Sequence, residues 1–403
     1  MAEGAIITRV FDSLHSVDAQ AWNALLERQS QPTPFMRHEY LTALQRSGSA
    51  TPDTGWTLHA VTLWQGGALI AACPLYLKEH SYGEYVFDWA WARAYAEHGL
   101  HYYPKAVVAV PFTPVPGTRL MARDAPARAA LVQALRAWCE QAGVSSLHVL
   151  FASDEDIAAC ASAGLMLRHT VQFHWNNAGG AGGDVGYTDF DAFLASLNQE
   201  KRKKIRQERR RVAEAGVSFR WARGLDITPA DWDFFYRCYE RTYLEHGNAP
   251  YLTRSFFAQM QSEMPEHWLL FIAEREGRAI ASSLIAISAG CIRARGQNDQ
   301  KSVISSAYGR YWGALERVDC LHFEACYYQP LQWCIEHGVQ RFEGGAQGEH
   351  KMARALLPVQ ASSAHWLAHP AFADAVDRFL EREGEGVAQY LDALQTRSPF
   401  KAA

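Results

Sequence analysis

Hydrophobic positions in the first part of the chain follow two different periods. Residues 56–64 alternate between apolar and polar, and after Gly66-Gly67 a second strand-like stretch covers 68–77, which predicts a β-hairpin. Apolar residues at helical spacing over 125–142 predict a helix, and the apolar run over 144–151 predicts a buried strand after it. Helices and strands that alternate in this way are typical of layered α/β and α+β folds.

The second part of the chain shows a similar order of elements. Helical spacing over 231–246 is followed by strand-like stretches over 268–275 and 279–287, with Gly277 at the turn between them. The remaining predictions are a strand over 307–315, a helix over 320–337 and a short strand over 339–342. Asp319 is the predicted N-cap of this helix, Gly338 is its predicted C-cap, and Pro330 marks a kink or a new start within it. No repeat of fixed period is visible, which excludes a solenoid.

A glycine-rich stretch marks the predicted division of the chain. Residues 176–186 contain five glycines, a composition that neither holds a helix nor packs a strand. A chain of 403 residues is long enough for two domains. We therefore predict a first domain over 1–178, a linker over 179–188 and a second domain over 189–403.

Composition narrows the class of protein. The chain is 48% hydrophobic and 20% charged and carries a net charge of −4, which excludes a globally basic nucleic-acid binder and leaves DNA out as a partner. We find no apolar run long enough for a membrane span and no secretory signal, so a cytoplasmic location is expected. Eight cysteines without a C-x-x-C pair are expected to be buried, reduced thiols.

The sharpest local feature is a basic helix predicted over 197–216. Between Glu200 and Glu214 eight bases and three acids give a net charge of +5, while Leu197, Ile205 and Val212 form a narrow apolar stripe. Ser196 and Gly216 are the predicted caps. Such a run is either a solvated surface or a site for a polyanion, such as tRNA, the phosphates of a coenzyme or a pyrophosphate-linked lipid. The candidate polyanion-binding residues are Lys201, Arg202, Lys204, Arg206 and Arg209.

Two further regions carry candidate chemistry. Aromatic residues are concentrated over 83–91 and 102–105, and three prolines make 110–117 a rigid extended loop, a combination that suits a ligand cleft as well as a core. On the strand over 308–313, alternation predicts Tyr308, Arg310 and Trp312 on one face and Tyr311 on the other.

Residues 341–354 combine a strand, a glycine-rich turn and a polar cluster, a layout that aims backbone N–H groups at an anionic or polarised atom. Arg341-x-x-Gly344-x-Ala346 also fits the loose R/Q-x-x-G-x-G/A pattern of acyl-CoA-binding acetyltransferases. Motifs of serine hydrolases, phosphate-binding loops, dinucleotide-binding folds and zinc proteases are absent. The pairs His322-x-Glu324 and His98-x-x-His101 are isolated, and no metal is predicted.

These features together resemble the FemAB-like predicted N-acyltransferases, relatives of the peptidoglycan-bridge aminoacyltransferases in the GNAT superfamily. The resemblance runs roughly from Phe11 to Phe400. It is carried by the basic helix and by blocks at 34–39, 74–78, 83–91, 102–105, 110–114, 308–313, 321–329 and 343–358. The segment over 288–306 is longer than the usual hairpin of the family and has no assigned role.

The resemblance implies an α/β fold with α+β layering: two tandem GNAT-like domains, each with a mixed, mostly antiparallel sheet flanked by helices. It also implies that an amine, in a small molecule or a lipid-linked cell-wall precursor, attacks an acyl or aminoacyl group. The donor would be acyl-CoA or aminoacyl-tRNA, used as a co-substrate and not held as a tightly bound cofactor. Donor and acceptor are expected to meet near the second domain and the interdomain cleft.

Such a reaction needs an oxyanion donor, a proton acceptor and a proton source for the leaving group. Lys351 or backbone N–H groups are candidates for the first role, Glu343 or His350 for the second, and Tyr308 or Tyr328 for the third. The candidate substrate-binding residues are His38, Asp88, Trp89, Tyr103, Lys105, Arg310, Tyr311, Gly344, Gly345 and Arg354.

Two alternatives remain open from the sequence. One is a non-catalytic GNAT pair that binds a peptidoglycan precursor, a glycan or RNA through the aromatic cleft and the basic helix. The other is a regulator that binds RNA without transfer and whose affinity falls steeply with salt.

Overall fold

The computed structural model describes residues 4–177, 186–290, 303–345 and 348–401. Its strands are β1 (Ile7–Phe11), β2 (Trp56–Gln65), β3 (Ala68–Lys78), β4 (Lys105–Val108), β5 (Met121–Ala122), β6 (Ser146–Ala152), β7 (Met166–Asn176), β8 (Val217–Arg223), β9 (Trp268–Arg275), β10 (Arg278–Gly290), β11 (Val303–Ala314), β12 (Arg341–Glu343) and β13 (Leu357–Leu367).

Its helices are α1 (Ala19–Glu27), α2 (His38–Arg46), α3 (Trp89–Glu97), α4 (Ala125–Ala142), α5 (Asp154–Ser162), α6 (Phe190–Ser196), α7 (Gln199–Glu214), α8 (Pro229–Glu245), α9 (Arg254–Glu263), α10 (Leu321–Phe323), α11 (Gln329–Glu336) and α12 (Pro370–Gln395). A π-helical turn, Glu324–Tyr328, joins α10 to α11, and a 3-10 turn, Glu349–Arg354, precedes β13.

The chain forms two compact units, each built from separated segments. The first unit comprises Met1–Thr170, Tyr251–Phe256 and Gln360–Tyr390. The second comprises Val171–Pro250, Phe257–Val359 and Leu391–Ala403. This division falls at Thr170, before the glycine-rich stretch, and residues 178–185 of that stretch lie outside the described residues. The return of 360–390 to the first unit is a long-range pairing that composition does not reveal.

The first unit is a mixed sheet covered by helices. Its strands run in the order β1-β2-β3-β4-β6-β13; β4 and β6 are parallel and the other neighbours are antiparallel. The predicted hairpin is confirmed, because β2 pairs with β3 from Trp56↔Lys78 to Gln65↔Ala68. Helix α4 packs Leu131 and Leu135 into the core of this sheet, as its apolar spacing predicts.

The second unit repeats this architecture with the order β7-β12-β11-β10-β9-β8. Strand β12 is parallel to β11 and antiparallel to β7, while β8 to β11 form an antiparallel meander. Its core joins Trp175 of β7, Phe271 of β9 and Phe342 of β12 to the α11 residues Leu331 and Cys334. Among the described residues, no helix combines the length and the apolar content of a membrane span.

A β-bulge overturns the predicted faces of β11. Gly309 pairs with Ile285 and Tyr311 with Leu284, so Arg310 is the extra residue of the bulge. Regular alternation would place Tyr308 and Tyr311 on opposite faces of the sheet. Because the strand contains one extra residue between them, the two tyrosines lie on the same face. The tyrosines then lie on the face opposite Trp312.

Helix ends also differ from their prediction at two places. Asn198, and not Ser196, caps α7, because its side-chain oxygen accepts the Lys201 backbone N–H at 3.0 Å. Gly216 follows the helix with a φ of 73°, as its predicted end requires. Cys320, and not Asp319, stands at the start of α10, where no side chain caps the helix. Asp319 instead accepts a bond from Arg211 at 2.9 Å.

Candidate active site

A small cavity lies in the second unit where the parallel pairing of β11 and β12 stops. The ladder has three pairs and ends at Tyr308↔Glu343, and Gly309 and Gly344 follow directly on the two strands. The cavity has a volume of about 130 Å³. It is lined by Ser283, Ile285, Gly309, Arg310, Tyr311, Trp312, His322, Cys326, Tyr327 and Gly344.

Gly344 lines one wall of the cavity, at a position that has no room for a side chain. A Cβ at this position would lie 2.4 Å from Cδ2 of Leu356 and 3.4 Å from Cδ of Lys351, so a side chain would displace its neighbours. The Gly344 N–H donates to the Phe173 carbonyl at 3.3 Å. Because this N–H already has a partner, it does not supply the backbone oxyanion donor that the sequence suggests. Ala346 of the acetyltransferase-like motif lies outside the described residues.

Lys351 brings a buried cation to the same wall. Lys351 is 3% exposed, and its Nζ donates to the Gly345 carbonyl at 2.8 Å. Burial lowers the pKa of Lys351 to about 8, so the ammonium is close to its titration point at physiological pH. An ammonium has three hydrogens, which leaves Lys351 able to donate to an oxyanion as well as to Gly345.

Tyr327 and His350 form a hydrogen-bonded pair beside the cavity. The Tyr327 hydroxyl lies 3.3 Å from Nε2 of His350. Burial, together with the positive charges of Arg354 and Lys351, lowers the pKa of His350, which favours its neutral imidazole form. Burial also raises the pKa of Tyr327, which keeps its proton. His322, whose ring centre lies 5.8 Å from that of Tyr327, is held neutral because burial lowers its pKa to about 4.

The structure separates Glu343 and Tyr308 from this group. Glu343 stands opposite Tyr308 and His174 in the sheet, one residue from Phe342, whose side chain enters the core. Successive strand residues point to opposite faces, so the Glu343 carboxylate lies on the face away from that core. It pairs there with Arg341 at 3.0 Å and lies 3.7 Å from Nε2 of His174. Burial and the Glu343 charge raise the pKa of Tyr308 to about 12.

Tyr328 and Arg354 are engaged with the basic helix and not with the cavity. The Tyr328 hydroxyl donates to a carboxylate oxygen of Glu208, and Arg354 Nη2 donates to both Glu208 oxygens at 3.0 and 3.1 Å. Burial raises the pKa of Tyr328, as it does that of Tyr327, but the Tyr328 hydroxyl is bound to Glu208 and Tyr328 does not line the cavity. Arg310 and Tyr311 reach the rim of the cavity, where Arg310 Nη2 lies 3.2 Å from the Tyr311 hydroxyl.

The candidates of the first unit are largely internal. Lys105 is completely buried and donates to Ser81 Oγ at 2.7 Å, to Glu84 at 2.8 Å and to Asp88. Burial alone would raise the pKa of Asp88, but the Lys105 charge outweighs it and the pKa is well below the usual value. Tyr103 donates to or accepts from Ser81 at 2.9 Å.

His38 has a structural contact as well. Its Nε2 lies 2.8 Å from the Leu14 carbonyl oxygen. Trp89 differs from the other candidates of the first unit, since 41% of it is exposed and its ring meets that of Tyr82 at 5.0 Å. Of the predicted substrate-binding residues in this unit, Trp89 therefore offers the widest surface to a ligand.

The basic helix α7 divides its cations between an outer and an inner face. Lys203, Lys204, Arg206 and Arg210 are exposed, and an open cavity of about 450 Å³ runs along the outer face. That cavity is lined by Gln199, Arg202, Lys203, Arg206, Gln207 and Arg210. Lys201 pairs with Glu200 at 2.9 Å, and Arg206 lies 3.7 Å from Asp191. Arg209 turns inward, where its Nη2 lies 3.0 Å from Glu324, and its side chain remains 27% exposed.

The sequence prediction missed Tyr327, Cys326 and Ser283. The signal for Tyr327 was present in the Tyr-Tyr pair over 327–328, but the π-helical turn adds a residue to the helix, and it is Tyr327 and not Tyr328 that lines the cavity. Within the described residues no group of three or more potential ligands is placed to hold a metal ion. The described cysteines are free thiols, and Cys291 lies outside the described residues.

Each of the two units is a mixed, mostly antiparallel sheet flanked by helices, as the resemblance implied. The profile of the FemAB-like family, described as peptidoglycan biosynthesis/recognition, matches residues 13–402. The chain belongs to the FemAB-like family. No curated protein matches this chain.

Several solved structures share the fold at low sequence identity. The C-terminal domain of a putative lysylphosphatidylglycerol synthetase from Agrobacterium fabrum is 11% identical, with 90% of this chain and 94% of that chain covered and a TM-score of 0.53. FemX is 9% identical over 92% of this chain and 100% of that chain, with a TM-score of 0.51. L-PGS from Bacillus licheniformis is 11% identical over 90% and 97%, with a TM-score of 0.51.

Proposed function

We propose that the second unit catalyses acyl or aminoacyl transfer from an activated donor to an amine. The observation that carries this proposal is the cavity at the end of the β11–β12 ladder, with the buried Lys351 and the Tyr327–His350 pair beside it. Membership of a family of peptidoglycan biosynthesis/recognition supports it. The putative lysylphosphatidylglycerol synthetase of similar fold, whose name describes an aminoacylated lipid, supports an aminoacyl group in particular.

The residues at the cavity match the needs of aminolysis. When the amine nitrogen attacks the carbonyl carbon, the carbonyl oxygen becomes an oxyanion, which the Lys351 ammonium stabilises. The new C–N bond leaves a proton on nitrogen, and neutral His350 accepts it through Tyr327. The C–S or C–O bond to the donor then breaks, and the thiol or hydroxyl leaves with a proton from Tyr327.

The outer face of α7 is the proposed site for the phosphates of the donor. Its exposed cations, Lys203, Arg206 and Arg210 among them, line one open cavity, and such a stripe suits the phosphates of tRNA or of a coenzyme A thioester. The proposed acceptor is an amine of a small molecule or of a lipid-linked cell-wall precursor. Glu343 and Tyr308, on the opposite face of the sheet, have no step in this mechanism.

The test is a transfer assay with purified full-length protein. Radiolabelled acetyl-CoA and a set of aminoacyl-tRNAs are each offered with peptidoglycan-precursor, phosphatidylglycerol and small amine acceptors, and the acceptor is weighed by mass spectrometry. We expect one donor class to be consumed with a matching mass gain on an amine. Lys351→Met should lower turnover by about 10²–10³-fold, since it removes the oxyanion donor.

Lys401→Met is the matched control, because Lys401 is an exposed lysine of the same unit. It should keep the activity of the unchanged protein. Binding of a precursor, a glycan or RNA with no transfer from any donor would contradict the proposal and favour the non-catalytic alternative.

A further inference from the structure

The inner face of the basic helix α7 contacts the segments that carry the candidate catalytic groups. Ile205, Glu208 and Val212 are buried on this face. Of these three, only Glu208 is charged, and it is 8% exposed. Burying a charge is costly unless it is paired and hydrogen-bonded, so its partners indicate what it does.

Glu208 and its neighbour Arg209 hold the two ends of the π-helical turn. Arg209 Nε donates to the Glu324 carboxylate at 3.1 and 3.2 Å, and Glu324 begins the turn. Tyr328 ends the turn, and its hydroxyl donates to Glu208. Between these two anchors lies Tyr327, which lines the cavity. Two consecutive residues of α7 therefore fix the turn that presents Tyr327.

Glu208 also reaches the 3-10 turn that carries His350 and Lys351. Its carboxylate accepts two bonds from Arg354 Nη2, at 3.0 and 3.1 Å. Arg354 Nη1 donates in turn to the His350 carbonyl at 2.7 Å, and its guanidinium lies 3.6 Å above the Phe323 ring. The same carboxylate thus ties together the segment of Tyr327 and the segment of His350.

We propose that Glu208 and Arg209 are positioning residues for acyl transfer, which hold Tyr327 and His350 at hydrogen-bond distance across the cavity wall; this rests on the proposed function. Neither residue touches the reacting atoms. The same helix presents the outer cationic stripe, so a donor bound there is held by the element that also sets the geometry of the cavity. Apolar side chains would pack α7 against the unit equally well, but they would not link these two segments.

The test is a set of steady-state measurements on the full chain with the donor and acceptor that support transfer. Glu208→Gln should lower kcat by about tenfold to a hundredfold, while KM for donor and acceptor stays within about threefold, because positioning acts on the reacting state. Arg209→Lys, which keeps the charge but not the planar fork, should show the same split. Glu214→Gln, on the exposed side of the same helix, is the matched control and should be neutral.

A double variant distinguishes positioning from general destabilisation. If Glu208 acts through Tyr327, the combination Glu208→Gln with Tyr327→Phe should lose no more than Tyr327→Phe alone, within about threefold. If the kcat losses of the two single variants multiply in the double variant, or if Glu208→Gln is as active as the unchanged protein, the positioning role is contradicted while the proposed function stands. Absence of transfer by the unchanged protein would overturn the proposed function and this inference with it. Should Glu208→Gln fail to fold, the Arg209→Lys arm decides by the same criteria.

Discussion

At the scale of the residue, Lys351 is the group on which the account depends most. The sequence singles it out because it follows a glycine-rich turn among polar residues, and the structure adds its burial and its contact with Gly345. Burial, which lowers the pKa of Lys351 to about 8, is a tertiary property that the sequence does not display. The role of Lys351 in transfer stays a prediction that activity measurements decide.

The pH dependence of turnover tests this lysine. The protonated form stabilises the oxyanion, so the rate should fall as the pH rises through about 8. Lys351→Arg keeps its charge well above this pH and should lose this alkaline decline, even where its maximal rate is lower. The measurement is kcat/KM against pH for both proteins. An identical alkaline limb in both would contradict the assignment.

Single residues also show where prediction from sequence stops. His350, Lys351, Arg310, Tyr311 and Gly344 were expected at the site, and the structure brings all of these to the cavity or beside it. Glu343 was grouped with His350 and Lys351 because these residues are close in sequence. Proximity over 341–354 does not show that Glu343 faces the other side of the sheet.

At the scale of the element, regular periodicity was predicted well and irregular periodicity was not. The helix over 125–142 and the strand over 268–275 have the bounds that their patterns indicate. The bulge at Arg310 and the π-helical turn Glu324–Tyr328 each add one residue, which shifts every following side chain. Both irregularities border the cavity, and neither can be predicted from a hydrophobic pattern of fixed period.

The two tyrosines of the π-helical turn give a matched pair of variants. Tyr327→Phe removes the hydroxyl beside His350 and should lower kcat by about 10²-fold or more. Tyr328→Phe removes a donor to the Glu208 carboxylate and should lower the free energy of unfolding by about 1–3 kcal/mol, with a smaller effect on kcat. Turnover and urea denaturation are measured on both. Equal losses of kcat would contradict the placement of Tyr327 at the cavity.

At the scale of the whole molecule, two domains were predicted from the chain length, from the glycine-rich stretch over 176–186 and from the family resemblance. Sequence did not indicate that residues 360–390 belong with the first unit. That pairing depends on contacts between distant segments, such as the ion pair of Arg168 with Glu383 at 2.8 Å. The first unit keeps its candidate charges, Lys105 and Asp88, in an internal network rather than at a surface.

The stability of the first unit should depend on this network through Glu84. Burial raises the pKa of Glu84 from 4.5 to about 7, against the opposing effects of Lys105 and Lys78. The folded state therefore retains a proton that the unfolded state has lost, and this stabilisation disappears as the pH rises through about 7. Glu84→Gln should gain stability relative to the unchanged protein between about pH 5 and about pH 8, by roughly 2–3 kcal/mol.

Urea denaturation at the two pH values measures this difference, and Glu79→Gln is the control because Glu79 is exposed next to the network. A difference between Glu84→Gln and the unchanged protein that is the same at both pH values would show that Glu84 is ionised throughout.

The central claim is that acyl transfer takes place at the end of the β11–β12 ladder in the second unit. The most direct measurement is a crystal structure of the full chain with an inert analogue of the donor that it consumes, a thioether of coenzyme A or an amide-linked aminoacyl-tRNA mimic. We expect the acyl end of the analogue in the cavity beside Gly344 and Tyr327, with Nζ of Lys351 turned toward it. An analogue bound elsewhere, with side chains filling the space between Trp312 and Tyr327, would contradict it.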